Sequence, residues 1–217
     1  MATIKVHGVP DSPAVARVLV CLYEKELDFE LVPVDFKTAE NKKEPFISLN
    51  PFGLLPALED GDAKMFESRA ITNYLAQEYA DKGTQLIHTS GKEMAEMLVW
   101  MEVESLHFGS MFRIFAREAI INPLRGLPTD TALLEETKAK LSNILDVYEA
   151  RLAQSKYLGG DTFTLADLHH IPTISFLMNK SWKDLFDSET RPHVNAWVAA
   201  ITSRPAWAKV LALRDKY

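Results

Sequence analysis

The apolar spacing of this chain changes once, and that change limits what it can fold into. Up to about residue 82, short alternating or continuous apolar runs are interleaved with helix-start signals. From Gly91 onward, three- and four-residue spacing continues with no strand signal. This predicts an α/β domain over residues 1–82 and an all-helical domain over residues 91–217, joined by "DKGTQLIHTSGK". With 217 residues, 47% of them hydrophobic, both domains can bury a core.

In the first stretch, "TIKVHGV" alternates like a strand, and "SPAVARVLVCLYEKE" opens with Ser12 at an N-cap and Pro13 at the first helical position. "DFELVPVDF" reads as a second strand, which completes a βαβ unit with a parallel pair. "LLPALED" and "AKMFE" flank an Asp60-Gly61-Asp62 turn as an antiparallel hairpin, and "ESRAITNYLAQEYADKG" is a helix ending near Gly83. The order βαβ then ββα predicts a four-stranded mixed sheet in the thioredoxin-like arrangement. Pro56 interrupts the apolar run from Leu54 to Leu58. A proline cannot donate to a sheet ladder, so the backbone there is at an edge, is bulged, or faces something else.

In the second stretch, Met94, Met97, Trp100, Met101 and Leu106 form one packing stripe, and Leu134, Leu141, Leu145, Tyr148 and Leu152 form another. In "DTFTLADLHH", Thr164 caps a helix while Asp167 reaches back, and Phe163 can staple onto Leu168. "SRPAWAKVLALRD" closes the chain as a short helix begun by Pro205.

Charge and composition exclude several functions. A formal charge of −6 without a Lys/Arg block argues against nucleic acid. "MATIKVHGVPDSPAV" lacks the apolar core of a signal peptide and no later run reaches membrane-spanning length, which predicts a cytoplasmic protein with no membrane partner. The single cysteine, Cys21, rules out an intramolecular disulfide and sits among Leu19, Val20 and Leu22, so it reads as a buried, inert thiol. His169 and His170 are adjacent on a helix and diverge by about a third of a turn, so they are not a chelating pair, and no metal site is expected.

The ordered set "SPAVARVL", "ENKKEPF", "NPFGLLPALEDGD", "FESRAIT", "DVYEARLAQSKYLGGDTFTLADLHH" and "RPAWAKVL" resembles the cytosolic glutathione transferases, most closely the plant phi class, across essentially the whole chain. The resemblance implies a detoxifying, homodimeric enzyme that takes glutathione as co-substrate, holds no permanent cofactor and conjugates the glutathione thiolate to small hydrophobic electrophiles, with reduction of organic hydroperoxides as an accompanying activity. It further implies that Pro56 is cis and that Leu55 offers its backbone to the cysteinyl part of glutathione like a pairing strand. Glu67 and Ser68, where a strand becomes a helix, would hold the γ-glutamyl group, Ser68 with backbone N–H groups taking its carboxylate and Glu67 its ammonium. Lys42 would take the glycyl carboxylate, assisted by Asn41 where the family commonly carries histidine. Leu54 stands where Gln or Lys is usual, which deletes one polar contact at that position.

Ser12 is the expected catalytic residue. No acid is evidently placed to orient His7 on the preceding strand, so Ser12 lacks the partners of a hydrolytic nucleophile. It reads instead as a hydrogen-bond donor that, with the helix terminus, favours the thiolate of bound glutathione. Pro10 and Pro13 flank it. Phe36, Phe108, Phe112 and Phe115 are expected to make an apolar wall for the electrophile. Two other readings compete: a ligandin-type carrier of flavonoid-like aromatic ligands with slow chemistry, and an interaction domain of the elongation-factor gamma type. The retained Ser12, Lys42, Glu67 and Ser68 count against the latter. The varied apolar faces of "MAEMLVWMEVE" fit the expected homodimer.

Overall fold

The structure is a computed structural model and describes residues 3–36, 38–179 and 182–217. The chain forms two compact units, one of residues 1–87 with 203–217 and one of residues 88–202. The first contains strands β1 (Ile4–His7), β2 (Phe29–Val32), β3 (Ala57–Asp60) and β4 (Ala63–Phe66), with helices α1 (Pro13–Glu24), α2 (Phe46–Leu49) and α3 (Ser68–Glu78). The second contains α4 (Gly91–Val103), α5 (Gly109–Ala116), α6 (Asn122–Leu124), α7 (Thr131–Leu152), α8 (Leu165–Leu168), α9 (Ile171–Met178) and α10 (Pro192–Thr202); the closing helix α11 (Pro205–Arg214) falls in the first unit.

The sheet has the order β2-β1-β3-β4, with β1 parallel to β2 and antiparallel to β3. Ile4 and Val6 point inward from β1 while Lys5 is exposed, as alternation requires. The β3–β4 hairpin turns at Gly61, whose φ of 61° suits glycine. Helix α1 is buried on more than one side, with Val15, Val18, Leu19 and Leu22 fully covered, because α3 and α11 both pack on it. Arg204, at the start of α11, donates twice to the Glu24 carboxylate at the far end of α1.

Two expectations change here. The helix expected to reach Gly83 ends at Glu78, and the first half of the expected linker is anchored. The Thr84 N–H donates to the Glu24 carbonyl at 2.7 Å, the Lys25 ammonium donates to the Thr84 carbonyl at 3.1 Å, and Leu86 and Ile87 are buried. Gly83 approaches the Glu24 carbonyl so closely that a Cβ would lie 2.2 Å from it. The reason is packing: an apolar Leu-Ile pair next to a helix end is worth more buried than solvated.

In the second unit, α4, α5 and α6 form one helical run broken by π-turns at Glu104–Phe108 and Arg117–Ile121. Met97 and Met101 are buried as the stripe predicts, but Leu106 is 63% exposed. An i→i+5 turn inserts an extra residue, so the inward face passes to Glu104 and Phe108 instead. Helix α7 follows its predicted stripe, with Leu141, Leu145, Tyr148 and Leu152 buried. The expected cap of α8 forms: Asp167 accepts from the Thr164 N–H at 3.1 Å and also from the Leu158 N–H and the Trp197 indole, each at 2.9 Å. Phe163 is buried edge-on against Tyr157.

Candidate functional site

The loop from β1 to α1 delivers Ser12. Its backbone is extended, at φ −72° and ψ 121°, its carbonyl accepts from the Ala16 N–H at 2.8 Å, and its hydroxyl makes no capping bond. An N-cap serine normally spends its hydroxyl on the helix. Here that group stays available beside the positive end of a twelve-residue helix with no acidic side chain in its first turn. On the preceding strand, His7 Nε2 lies 2.7 Å from Glu59 Oε1, so the acid partner that the sequence did not reveal comes from β3. Its signal was obscured because Glu59 is registered opposite Lys5, one step diagonal to His7.

The second part of the arrangement is a pair of turns braced on each other. The Asn41 amide donates to the Gly53 carbonyl at 2.8 Å and the Lys42 ammonium to the Phe52 carbonyl at 2.9 Å. Gly53 sits at φ 57°, with room for no side chain, since a Cβ would lie 2.5 Å from the Asn41 carbonyl. Asn50 then fixes the next residue by donating to the Leu54 carbonyl at 2.7 Å. The Leu55–Pro56 peptide is cis, as the resemblance implies. Leu55 packs its side chain on Val34, Phe46 and Ala57, and because strand pairing starts only at Ala57, its main chain stays outside the ladder.

At the start of α3, Glu67 adopts φ 70°, a conformation costly for a residue with a Cβ (about 1–3 kcal/mol), and so turns the chain from β4 directly into the helix. Glu67 is exposed, Ser68 is buried, and the Arg17 guanidinium donates to Ser68 Oγ at 2.8 Å. Arg17 carried no site signal in the sequence, because a lone arginine inside an apolar helix reads as a surface position.

Not every expected residue joins this arrangement. Phe108, Phe112 and Phe115 are 0%, 7% and 2% exposed and belong to the interior of the helical unit. Phe108 stacks with Tyr148 and meets His170, Phe115 meets Trp182, and Phe112 meets Phe115 and Phe176. They are core residues rather than an apolar wall, because burying large rings contributes more to the helical unit than leaving them accessible. Phe36 and Leu54 are exposed, at 50% and 56%. Asn41 is 5% exposed and its amide braces Gly53, which shapes the turn that carries Lys42.

The family model for the glutathione S-transferase N-terminal domain matches residues 2–77, and that for the C-terminal domain matches residues 100–205. The chain belongs to the glutathione S-transferase family. A glutathione S-transferase of Hyoscyamus muticus is 57% identical over 98% of this chain and 99% of its own length. Among solved structures, glutathione transferase F7 from Populus trichocarpa superposes with a TM-score of 0.93 at 45% identity, covering 98% of this chain and 99% of that one. Maize glutathione S-transferase I in complex with an atrazine glutathione conjugate superposes with a TM-score of 0.89 at 36% identity, covering 99% of each chain. These relatives place this glutathione S-transferase in the plant phi class. In that family context, Ser12, Lys42, Leu55, Pro56, Glu67 and Ser68 all lie on the N-terminal domain, at loop ends and helix starts rather than inside elements.

Proposed function

We propose that the chain conjugates glutathione to hydrophobic electrophiles, with thiol activation by Ser12. The observation that carries this reading is the Ser12 hydroxyl, held at the start of α1 and not spent on capping it. Glutathione occupies the face built by Lys42, Leu55, Pro56, Glu67 and Ser68: Lys42 takes the glycyl carboxylate, the Leu55 backbone pairs with the cysteinyl group, and Ser68 and Glu67 hold the γ-glutamyl group. Glutathione is a consumed co-substrate, Phe36 is available to the electrophile, the protein acts in the cytosol, and organic hydroperoxides are alternative substrates.

A hydrogen bond to a charged group contributes roughly 1.5–3 kcal/mol, or about one to two pKa units. From about 8.5, two units raise the thiolate fraction at pH 7 from about 3% to about 75%. Nucleophilicity falls by about eightfold over the same change, leaving a net gain of only about threefold. Most of the acceleration therefore comes from holding thiolate and electrophile together.

The protein also works as a homodimer. Leu98, Val99 and Leu106 on the α4 run are 43%, 56% and 63% exposed, an apolar surface that a second copy can cover.

The test is steady-state conjugation of 1-chloro-2,4-dinitrobenzene. A rate that is saturable in glutathione and well above the uncatalysed reaction supports the reading; a rate equal to that of the buffer control overturns it.

A further inference from the structure

We propose that the outer edge of β2 is a docking site for an extended peptide that reads apolar, basic, apolar and adds to the sheet as a fifth strand. β2 is an end member of the sheet and pairs with β1 alone. The Gly8 N–H donates to the Val32 carbonyl at 2.9 Å, so the main chain of Val32 faces β1. Main-chain groups alternate in direction along a strand, which turns Glu30 toward β1 as well and turns Phe29 and Leu31 outward. The N–H and C=O groups of Phe29 and Leu31 therefore lie along the open edge, and no described residue meets them. Such an edge is a template for another strand. None of Ser12, Lys42, Leu55, Glu67 and Ser68 belongs to it, so docking there is independent of the glutathione reading.

Side chains decide what the added strand carries. Phe29 and Leu31 are registered opposite Ile4 and Val6, on the face of the sheet that buries those two residues. There they line a hollow of about 310 Å³ together with Tyr23, Leu27, Leu213 and Tyr217. The hollow suits apolar side chains, because the Lys209 ammonium already stands over the Tyr23 ring, 5.5 Å from its centroid, and would repel a second cation.

The opposite face calls for charge. Register places Glu30, Lys5, Glu59 and Lys64 in one row across the four strands, alternating in sign. Opposite charges side by side stabilise a sheet and like charges destabilise it. Lys5 has a carboxylate in register on each side, whereas Glu30 ends the row, exposed and with its outer side open. A strand added beside β2 continues the alternation with a lysine or arginine opposite Glu30, and the residues before and after that cation then point into the hollow. Glu26 and Asp28, exposed in the turn before β2, attract the same charge.

The test is an NMR titration of the full chain with acetyl-Ser-Thr-Val-Lys-Val-Thr-Ser-amide. In the free protein the Phe29 and Leu31 amides should exchange freely with deuterium while those of Glu30 and Val32 are protected, and at saturating peptide the first two should slow by about tenfold or more. Replacing the peptide's lysine with glutamate should weaken binding by about fivefold, and Glu30→Lys, a change at an exposed position, should reverse the order of preference. A peptide N-methylated at its three central residues keeps the side chains without the donors and should not bind. Shifts confined to Tyr23, Leu213 and Tyr217, with no slowing at Phe29 and Leu31, would mean that the peptide uses the hollow alone. Equal affinity for the lysine and glutamate peptides would remove the charge row from recognition. Protection of the Phe29 and Leu31 amides in the free protein, lost on dilution, would assign the edge to a second copy. Each of these outcomes overturns the proposal, as does a lysine peptide that does not bind.

Discussion

A serine at a helix start is ordinarily a cap, and the departure of Ser12 from that habit sets its expected phenotype. Ser12→Ala should abolish most conjugation while glutathione still binds, and the pH profile of turnover should move upward as the thiolate becomes harder to form. Turnover equal to wild type at pH 7 would remove Ser12 from the mechanism. Ser12→Cys treated with glutathione disulfide should attack one of its sulfurs, expel one glutathione thiol and keep the other as a mixed disulfide, seen by mass spectrometry as one added glutathione that dithiothreitol releases. Burial pushes the Cys21 thiol far above the usual range, so it should add nothing to that readout, and the wild type given the same treatment is the control. Lys42→Ala should raise the KM for glutathione more than it lowers kcat, the mark of lost uniform binding. An unchanged KM would show that the Lys42 ammonium serves only the Phe52 carbonyl. Ser12, Lys42 and Pro56 were legible in the sequence because each sits beside a local signal: a cap, a charged turn, a proline in an apolar run. Arg17 and Glu59 were not, because their partners Ser68 and His7 lie 51 and 52 residues away.

At the scale of elements, the same distinction holds. The strands and α7 followed from spacing of two and of three to four residues, but the π-turn at Glu104–Phe108 could not be read from a 3.6-residue period. Phe108, which ends that turn, and Phe112 and Phe115 after it face the core rather than an electrophile. The capping box of α8 was legible because its two residues are three apart, yet its other partners, Leu158 and Trp197, became visible only in the fold. Burial raises the Asp167 carboxyl to about 6 even though those donors favour its ionised form. The folded value exceeds the unfolded one, so the contribution of this group to stability is complete below about pH 4 and is lost as the pH rises through about 6. Urea midpoints measured across that window should fall with rising pH, and Asp167→Asn should flatten the fall. At pH 4 the variant should also lose about 1–3 kcal/mol, because its amide nitrogen would face the Thr164 N–H donor-to-donor. A variant that keeps the wild-type slope would show that other carboxyls produce it.

At the scale of the whole molecule, sedimentation at micromolar concentration should give twice the 24.5 kDa chain mass, and replacing exposed Leu98 and Val99 with lysine should return a single-chain mass. A wild type that sediments as one chain would discard the dimer. The first unit is discontinuous: its last helix, α11, buries Ala206, Trp207 and Val210 and pairs Arg204 with Glu24. Deleting residues 203–217 should therefore unfold the sheet unit, not merely shorten the protein. During synthesis the same arrangement imposes a wait. The nascent sheet unit leaves the ribosome without the helix that covers α1, and that helix is made only after the 115 or so residues of the second unit, several seconds later at about 5–20 residues per second. Through that interval the uncovered side of α1 is a target for holdase chaperones, and the amino-terminal half of the protein reaches its final form last.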